Sequence, residues 1–340
     1  MTAILNDLAP GQFRVPLYHT DKLDFGDMDL LVDADLMTQP FLDEFGRRAG
    51  ALERRALGNA QSFHVPTPHG GLQVDLFPTS AALLDTRQSF MDWGDLGNIL
   101  GRLVRPYGLM WSEEGAWFVY RRENDDHYVH RIHVPGGTEL LLDVIGLDDT
   151  ALRQGFQNEA QMFRWIITAR DFRTPPFLDQ DGAVQRRAKS RPGMARFQAF
   201  LHTEIQAGRL AETSKMERQP LERLLTVLGS AAARKLETAV NEQRQLEDRA
   251  RRLRLRFSGT LLHDLRPELD TLELQTLVRG LSTDTERQAW MLTQTPEDVH
   301  AWLKHLPVPE ISAESRESYD RKQKAHAERE ARKAKRKAGA

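Results

Sequence analysis

The chain has 340 residues, 40% of them hydrophobic and 28% charged, enough apolar residues to bury more than one core. It has no cysteine, which excludes disulfides, thiolate zinc sites, iron–sulfur clusters and cysteine nucleophiles; any metal must be held by carboxylates, histidines or backbone oxygens. The net charge of −2 is unevenly spread: residues 321–340 carry nine Lys or Arg against two acids, a net of +7, which leaves −9 for residues 1–320. An acidic body with a basic tail suits contact with a polyanion.

The first residues, MTAILNDLAPGQF, lack a basic stretch followed by an apolar one and do not read as a secretory signal. No apolar run approaches the roughly 20 residues needed to cross a bilayer, and the mean hydropathy is −0.54. The expectation is a cytoplasmic protein with no membrane partner.

Residues 11–150 read as α/β. Short β-type runs stand between turn signals: FRVPLY, MDLLVD, LQVDLF, AWFVYR and YVHRIHV. Residues 40–57 read as one helix, with Phe41, Leu42, Phe45, Ala49 and Leu52 at helical spacing. Residues 94–107 read as another, with Leu96, Ile99, Leu100 and Leu103 on one face. From about Asp148 helical patterns take over. A helix capped by residues 148–150 is predicted to run through Phe156, Phe163 and Ile166. A loop-rich basic segment follows at 173–193, then helices over 194–208 and 219–256, and two or three short ones over 260–306. The expected division is an α/β (α+β) domain with a small mixed sheet over 1–150, an all-α domain over 151–310, and a basic tail over 311–340, helical in part at most, with too few apolar residues to pack.

The stretch Phe25-Gly26-Asp27-Met28-Asp29-Leu30-Leu31-Val32 is the most informative. On a strand, Asp27 and Asp29 share one face while Met28, Leu30 and Val32 face a core. Like charges side by side on a strand are destabilising unless a cation lies between them. A second strand, Leu72-Gln73-Val74-Asp75-Leu76-Phe77, carries one charge, Asp75. Three carboxylates on two strands suit a hard divalent cation, Mg²⁺ or Mn²⁺. Two such ions about 3.5–4 Å apart activate an attacking hydroxyl and stabilise a leaving oxygen. The competing reading is that Asp-x-Asp belongs to an ordinary turn or cap.

Three ordered blocks carry a resemblance. They are Val15-Pro16-Leu17-Tyr18 leading to Phe25-Gly26-Asp27-Met28-Asp29; Gln73-Val74-Asp75-Leu76; and Trp93-Gly94-Asp95-Leu96-Gly97-Asn98-Ile99-Leu100-Gly101-Arg102. Together these blocks, covering about residues 13–125, resemble the polymerase-beta-like nucleotidyltransferase superfamily, and within it a branch from phages and large DNA viruses. The resemblance implies a glycine-containing hairpin after the last block, over 107–118. The resemblance implies transfer of a nucleoside monophosphate from an NTP to an acceptor hydroxyl, with a tRNA-like RNA 3′ end as the expected acceptor. It implies that Asp27 and Asp29 bind the metals and that Asp75 completes the site and helps to activate the hydroxyl. The superfamily's Gly-Ser pair, which grips the triphosphate, is absent here. Leu17-Tyr18-His19-Thr20-Asp21-Lys22 stands in its place, so the phosphate work falls to Thr20, Lys22 or His19, with Gly26 beside them. Asp95, Asn98 and Arg102 at i, i+3 and i+7 share a helix face; they either contact the nucleotide or are the polar residues of a capped amphipathic helix.

Two basic clusters suit a phosphodiester chain: Arg186, Arg187, Lys189 and Arg191, and the five arginines from Arg249 to Arg256, of which Arg249 and Arg252 are the leading candidates. The interleaved Leu253, Leu255 and Phe257 offer the alternative that some of these arginines lie along a core. Residues 257–262 and the helices after them resemble a short helical module at the end of the viral-type transferases, to which substrate selection is assigned by analogy. Two other functions stay open: a transferase fold that has lost catalysis and binds RNA, and a transferase acting on a protein or small molecule. His127, His130 and His133 are discounted as a zinc site, because a strand sends His130 to the opposite face from the other two. Trp111 and Trp117 suit base stacking and core packing equally.

Overall fold

Leu30, Leu31 and Val32 are fully buried in strand β2 (Asp27–Asp33), as expected for a strand with neighbours on both sides. In the computed structural model, which describes residues 1–22, 25–68, 70–122, 128–178 and 191–338, β2 pairs antiparallel with β1 (Phe13–Arg14) and parallel with β5 (Gly70–Thr79). Next to β5 lie β4 (Ala60–Thr67) and β3 (Glu53–Leu57), both antiparallel to their neighbours, which gives the order β1-β2-β5-β4-β3. Helices α1 (Thr2–Leu8) and α2 (Gln39–Ala49) cover one face of this mixed sheet. Leu5, Leu42 and Phe45 pack there on Leu30, Val32, Phe63, Val74 and Leu76.

The helix expected over 40–57 is a helix and then a strand. Gly50, at φ 64, turns its amide back to the carbonyls of Gly46 and Arg47 and ends α2. Leu52 and Leu57 beyond it are exposed. Strands β3 and β4 escape the sequence pattern because charged residues dominate the outer strand, as is usual for a sheet edge.

A second sheet holds β6 (Leu109–Ser112), β7 (Gly115–Arg121) and β8 (Tyr128–Val134), antiparallel in that order. β6 and β7 form the hairpin expected over 107–118. This sheet shares its core with α3 (Leu84–Met91), through Phe90, and with α4 (Leu96–Leu103), α5 (Thr138–Ile145), α7 (Glu159–Ile166) and the helices Pro192–Gln206 and Leu221–Val227. Phe118, Leu141, Ile166, Phe197 and Leu224 all belong to it. Helices after residue 150 thus bury their apolar faces with strands that precede it. The compact units are accordingly Met1–Val240 and Asn241–Ala340, not a pair meeting at residue 150.

Two expected helices are interrupted. α6 (Thr150–Gln154) stops at Gly155, φ 81, and α7 restarts after Asn158, whose side chain accepts from the Gln161 amide. The span 219–256 divides at Leu228 and Gly229 into Leu221–Val227 and Ser230–Arg256. In the second unit the helices Gly259–Leu265, Thr271–Thr283, Thr285–Thr293 and Pro296–His305 surround Leu262, Leu277, Leu281, Met291, Val299 and Leu303. Residues Ala313–Ala338 of the basic tail form one helix, and Arg316 pairs with Asp270 at 2.6 Å. No helix among the described residues is long and apolar enough to cross a membrane.

Phe45 and Phe63 meet edge to face at 5.0 Å, both fully buried between α2 and the first sheet. Phe45→Ala is expected to cost about 3–5 kcal/mol, read as a lower urea midpoint by circular dichroism.

Candidate active site

Alternation along β2 puts Asp27, Asp29 and Leu31 on the face away from α1 and α2. In the parallel register Asp27 lies opposite Gln73 and Asp29 opposite Asp75. Neighbouring strands stand about 4.8 Å apart, so Asp29 and Asp75 are side by side. Asp75 is 5% exposed. Its Oδ2 accepts a hydrogen bond from Gln73 Nε2 at 2.9 Å, while its Oδ1 is buried with no partner among the described residues. Asp29 is half-buried and Asp27, at the strand's start, is exposed. The Asp29 carboxyl is pushed up to about 6, first by burial, then by the charges of Asp27 and Asp75. Lys22 and Arg87 pull it down by less.

Among the described residues, no group of three or more His, Asp or Glu side chains is gathered to hold a metal ion. The chemistry of the donor set nonetheless suits a hard cation. It offers carboxylate oxygens alone, one of them buried without a partner, and a crowded carboxyl whose ionised form a cation would favour.

Tyr18 and Lys22 stand within reach of these carboxylates. The Tyr18 ring meets Phe25 edge-on at 5.3 Å, and Lys22 Nζ lies 4.6 and 4.5 Å from the two ring centres. Burial, then Asp29 and Asp27, raise the Tyr18 hydroxyl to about 12, so it stays protonated as a donor. Thr20 is turned elsewhere: its amide donates to the Phe156 carbonyl at 3.3 Å and its hydroxyl to the Gln157 carbonyl at 3.4 Å. Gly26 has open space where a side chain would stand and no left-handed φ, so nothing among the described residues demands glycine there. Gln73 was not expected to have a role; the signal available was its spacing of two from Asp75 on one strand.

Asp95, Asn98 and Arg102 do share a helix face, but it faces protein. Asp95 Oδ2 accepts from the Met194 amide at 3.0 Å, capping the start of the helix Pro192–Gln206. Its Oδ1 accepts from Asn98 Nδ2 at 3.2 Å. Arg102 is buried, donates to the Pro176 carbonyl at 2.9 Å and lies 5.9 Å from the Phe177 ring centre. The geometry favours the reading of ordinary helix packing for these three over nucleotide contact.

Of the basic candidates, Arg186, Arg187 and Lys189 lie outside the described residues. Arg191, in the first unit, stands 3.8 Å from Asp95 Oδ1. In the second unit Arg249 and Arg252 line an open hollow of about 680 Å³ with Asp248, Ala289 and Leu292. Asp248 is paired with Arg251 at 2.6 Å, and Arg256 donates to the Gln294 carbonyl. Leu253 packs on the core of the second unit, whereas Leu255 is exposed. His127 lies outside the described residues; His133 packs its ring on Trp117 at 5.1 Å. Trp111 is buried in the core beside Phe90.

No family model and no curated protein matches the chain.

Ionised Asp29 weighs against the fold, because burial and its neighbours raise its pKa. That cost is absent below the ordinary value of 3.8 and complete above about 6. Asp29→Asn is therefore expected to melt above the parent at about pH 7.5 in EDTA, and the gap is expected to close as pH falls towards 4; calorimetry across pH reads it. Asp95→Ala is expected to lose about 0.5–2 kcal/mol through the lost cap, measured by denaturant unfolding.

Proposed function

We propose that the protein is a metal-dependent nucleotidyltransferase, moving a nucleoside monophosphate from an NTP to an acceptor hydroxyl. The observation that carries this reading is the register of Asp29 with Asp75 on adjacent parallel strands, with Asp27 on the same face and a bare, buried Asp75 oxygen. Asp27 and Asp29 would hold Mg²⁺ or Mn²⁺. Bound there, the cation would neutralise charge on the transferring phosphoryl group and the leaving pyrophosphate.

The chain's own residues account for the rest. Gln73 holds one oxygen of Asp75, which leaves the other to take the proton of the acceptor hydroxyl. The acceptor oxygen bonds to the α-phosphorus as the bond from that phosphorus to the bridging oxygen breaks, and pyrophosphate departs. Tyr18, protonated, and Lys22 add a donor and a positive charge beside the carboxylates. The acceptor is proposed to be an RNA 3′ end.

One observation favours a second reading, an RNA-binding module without catalysis. Thr20, a candidate for the missing phosphate grip, spends its hydroxyl on the Gln157 carbonyl.

Purified protein incubated with total RNA, Mg²⁺ or Mn²⁺ and each α-labelled NTP in turn tests the proposal. Label is expected in RNA with the parent, and about a hundredfold less with Asp75→Ala. Equal labelling by both proteins would refute the role of Asp75; no labelling by either would favour the second reading.

A further inference from the structure

A cavity of about 270 Å³ in the first unit is lined in part by Tyr18 and Lys22, and Lys22 Nζ lies 4.5 Å from the ring centre of Phe25, two residues before Asp27. Tyr18, His19 and Trp93 form aromatic walls, and Asp21, Lys22, Glu159 and Arg196 supply its charges. Two residues tie it to the candidate active site. Tyr18 lines the cavity and is close enough to Asp29 and Asp27 for their charges to act on its hydroxyl; Lys22 lines it and draws the Asp29 carboxyl down. A nucleotide with its α-phosphate at the carboxylates would therefore reach the cavity with one of its two ends.

Charge decides which end. The four charged groups cancel formally, two acids against two bases. Arg196 is moreover already neutralised: its Nε and Nη2 bind the two Glu159 carboxylate oxygens at 2.6 and 2.7 Å. A β,γ-diphosphate end entering here would meet two carboxylates and no surplus of positive charge. A base and ribose suit the lining better. Aromatic rings offer stacking faces, Asp21 and Glu159 can accept from hydroxyls or exocyclic amines, and Lys22 and Arg196 can donate.

Two further features belong to the cavity wall. His19 Nδ1 is buried with no partner among the described residues, and the ring packs against Trp93 at 5.7 Å. A buried polar atom left unpaired is costly unless something binds it. Trp93 sits at φ 60, the one non-glycine residue with a left-handed backbone among the described residues, and Gly94 follows at φ 67. The Trp93 amide donates to the Leu17 carbonyl at 2.8 Å, and its ring is held edge-on by Phe156 at 5.2 Å. Strained backbone of this kind persists where surrounding structure enforces it, often at binding sites.

We propose that this cavity is the nucleoside subsite of the enzyme, taking the base and ribose of the NTP between Tyr18, His19 and Trp93, with Glu159 and Arg196 at the polar edge. The inference rests on the nucleotidyltransferase reading and assigns the triphosphate to the carboxylate side, away from His19.

The test is a calorimetric titration of the full chain with the four NTPs and with inorganic tripolyphosphate, all in Mn²⁺. It compares the parent with Glu159→Gln, His19→Leu and Asp29→Asn. Glu159→Gln and His19→Leu are expected to weaken NTP binding about tenfold and to alter the order among the four NTPs, while tripolyphosphate binds no more weakly than to the parent. Retained tripolyphosphate binding also shows that these variants fold. Equal weakening of NTP and tripolyphosphate, or no change in either, would overturn the subsite while Asp29→Asn still abolished binding of both. If the parent bound neither probe, the nucleotidyltransferase reading would fall and the subsite with it.

Discussion

Two carboxylates, Asp29 and Asp75, are held next to each other by a strand register that the apolar face of the same sheet enforces. Met28, Leu30 and Val32 alternate with the aspartates, as Leu72, Val74 and Leu76 alternate with Gln73 and Asp75. A slip of one residue would put the carboxylates into the core under α1 and α2, so the register cannot relax to separate the charges. Burial, and after it the charges of Asp27 and Asp75, raise the Asp29 pKa, and one Asp75 oxygen is buried with no partner among the described residues. The core formed with Phe45 and Phe63 outweighs that local cost, and a cation at this face would relieve it.

The segment over 15–22 is placed by the rest of the first unit. The Leu17 amide donates to Asp92 at 2.7 Å and its carbonyl accepts from the Trp93 amide, while the amides of Thr20 and Asp21 donate to the carbonyls of Phe156 and Gln157. Burial raises Asp92 to about 6, held down in part by these bonds from Leu17 and Gln88. Tyr18 and Lys22 therefore stand at the carboxylates because residues 92–93 and 156–157 hold their loop there. The helices after residue 150 act in the same way. The Asp95 cap fixes the start of the helix that bears Arg196, and Glu159 opens α7 opposite it. What looked like a separate substrate domain is, up to Val240, part of the frame around the carboxylates.

Local patterns made part of this legible. The period-two alternation in β2 and β5 identified both strands and the shared face of the aspartates, because alternation is a property of each strand alone. The hairpin of β6 and β7 lies where the resemblance implied one. Other elements were hidden by composition. β3 and β4 carry little apolar signal, and Gly50, Gly155 and Gly229 divide spans whose hydrophobic spacing looked continuous. The spacing of Asp95, Asn98 and Arg102 correctly placed them on one face, yet spacing says nothing about what that face meets.

The sequence by itself determined which residues alternate, which helices start where a cap allows, and that any metal must be bound by oxygen or nitrogen. Those are consequences of chain chirality, side-chain period and residue chemistry, all local. Only the tertiary structure decided that β2 and β5 run parallel with Asp29 beside Asp75, that Gln73 occupies one oxygen of Asp75, and that His19, Trp93, Glu159 and Arg196 meet around one cavity. These residues are far apart along the chain, and no local preference specifies their distances. Burial of the shared apolar cores brings them together, and the polar groups take the positions that burial leaves them.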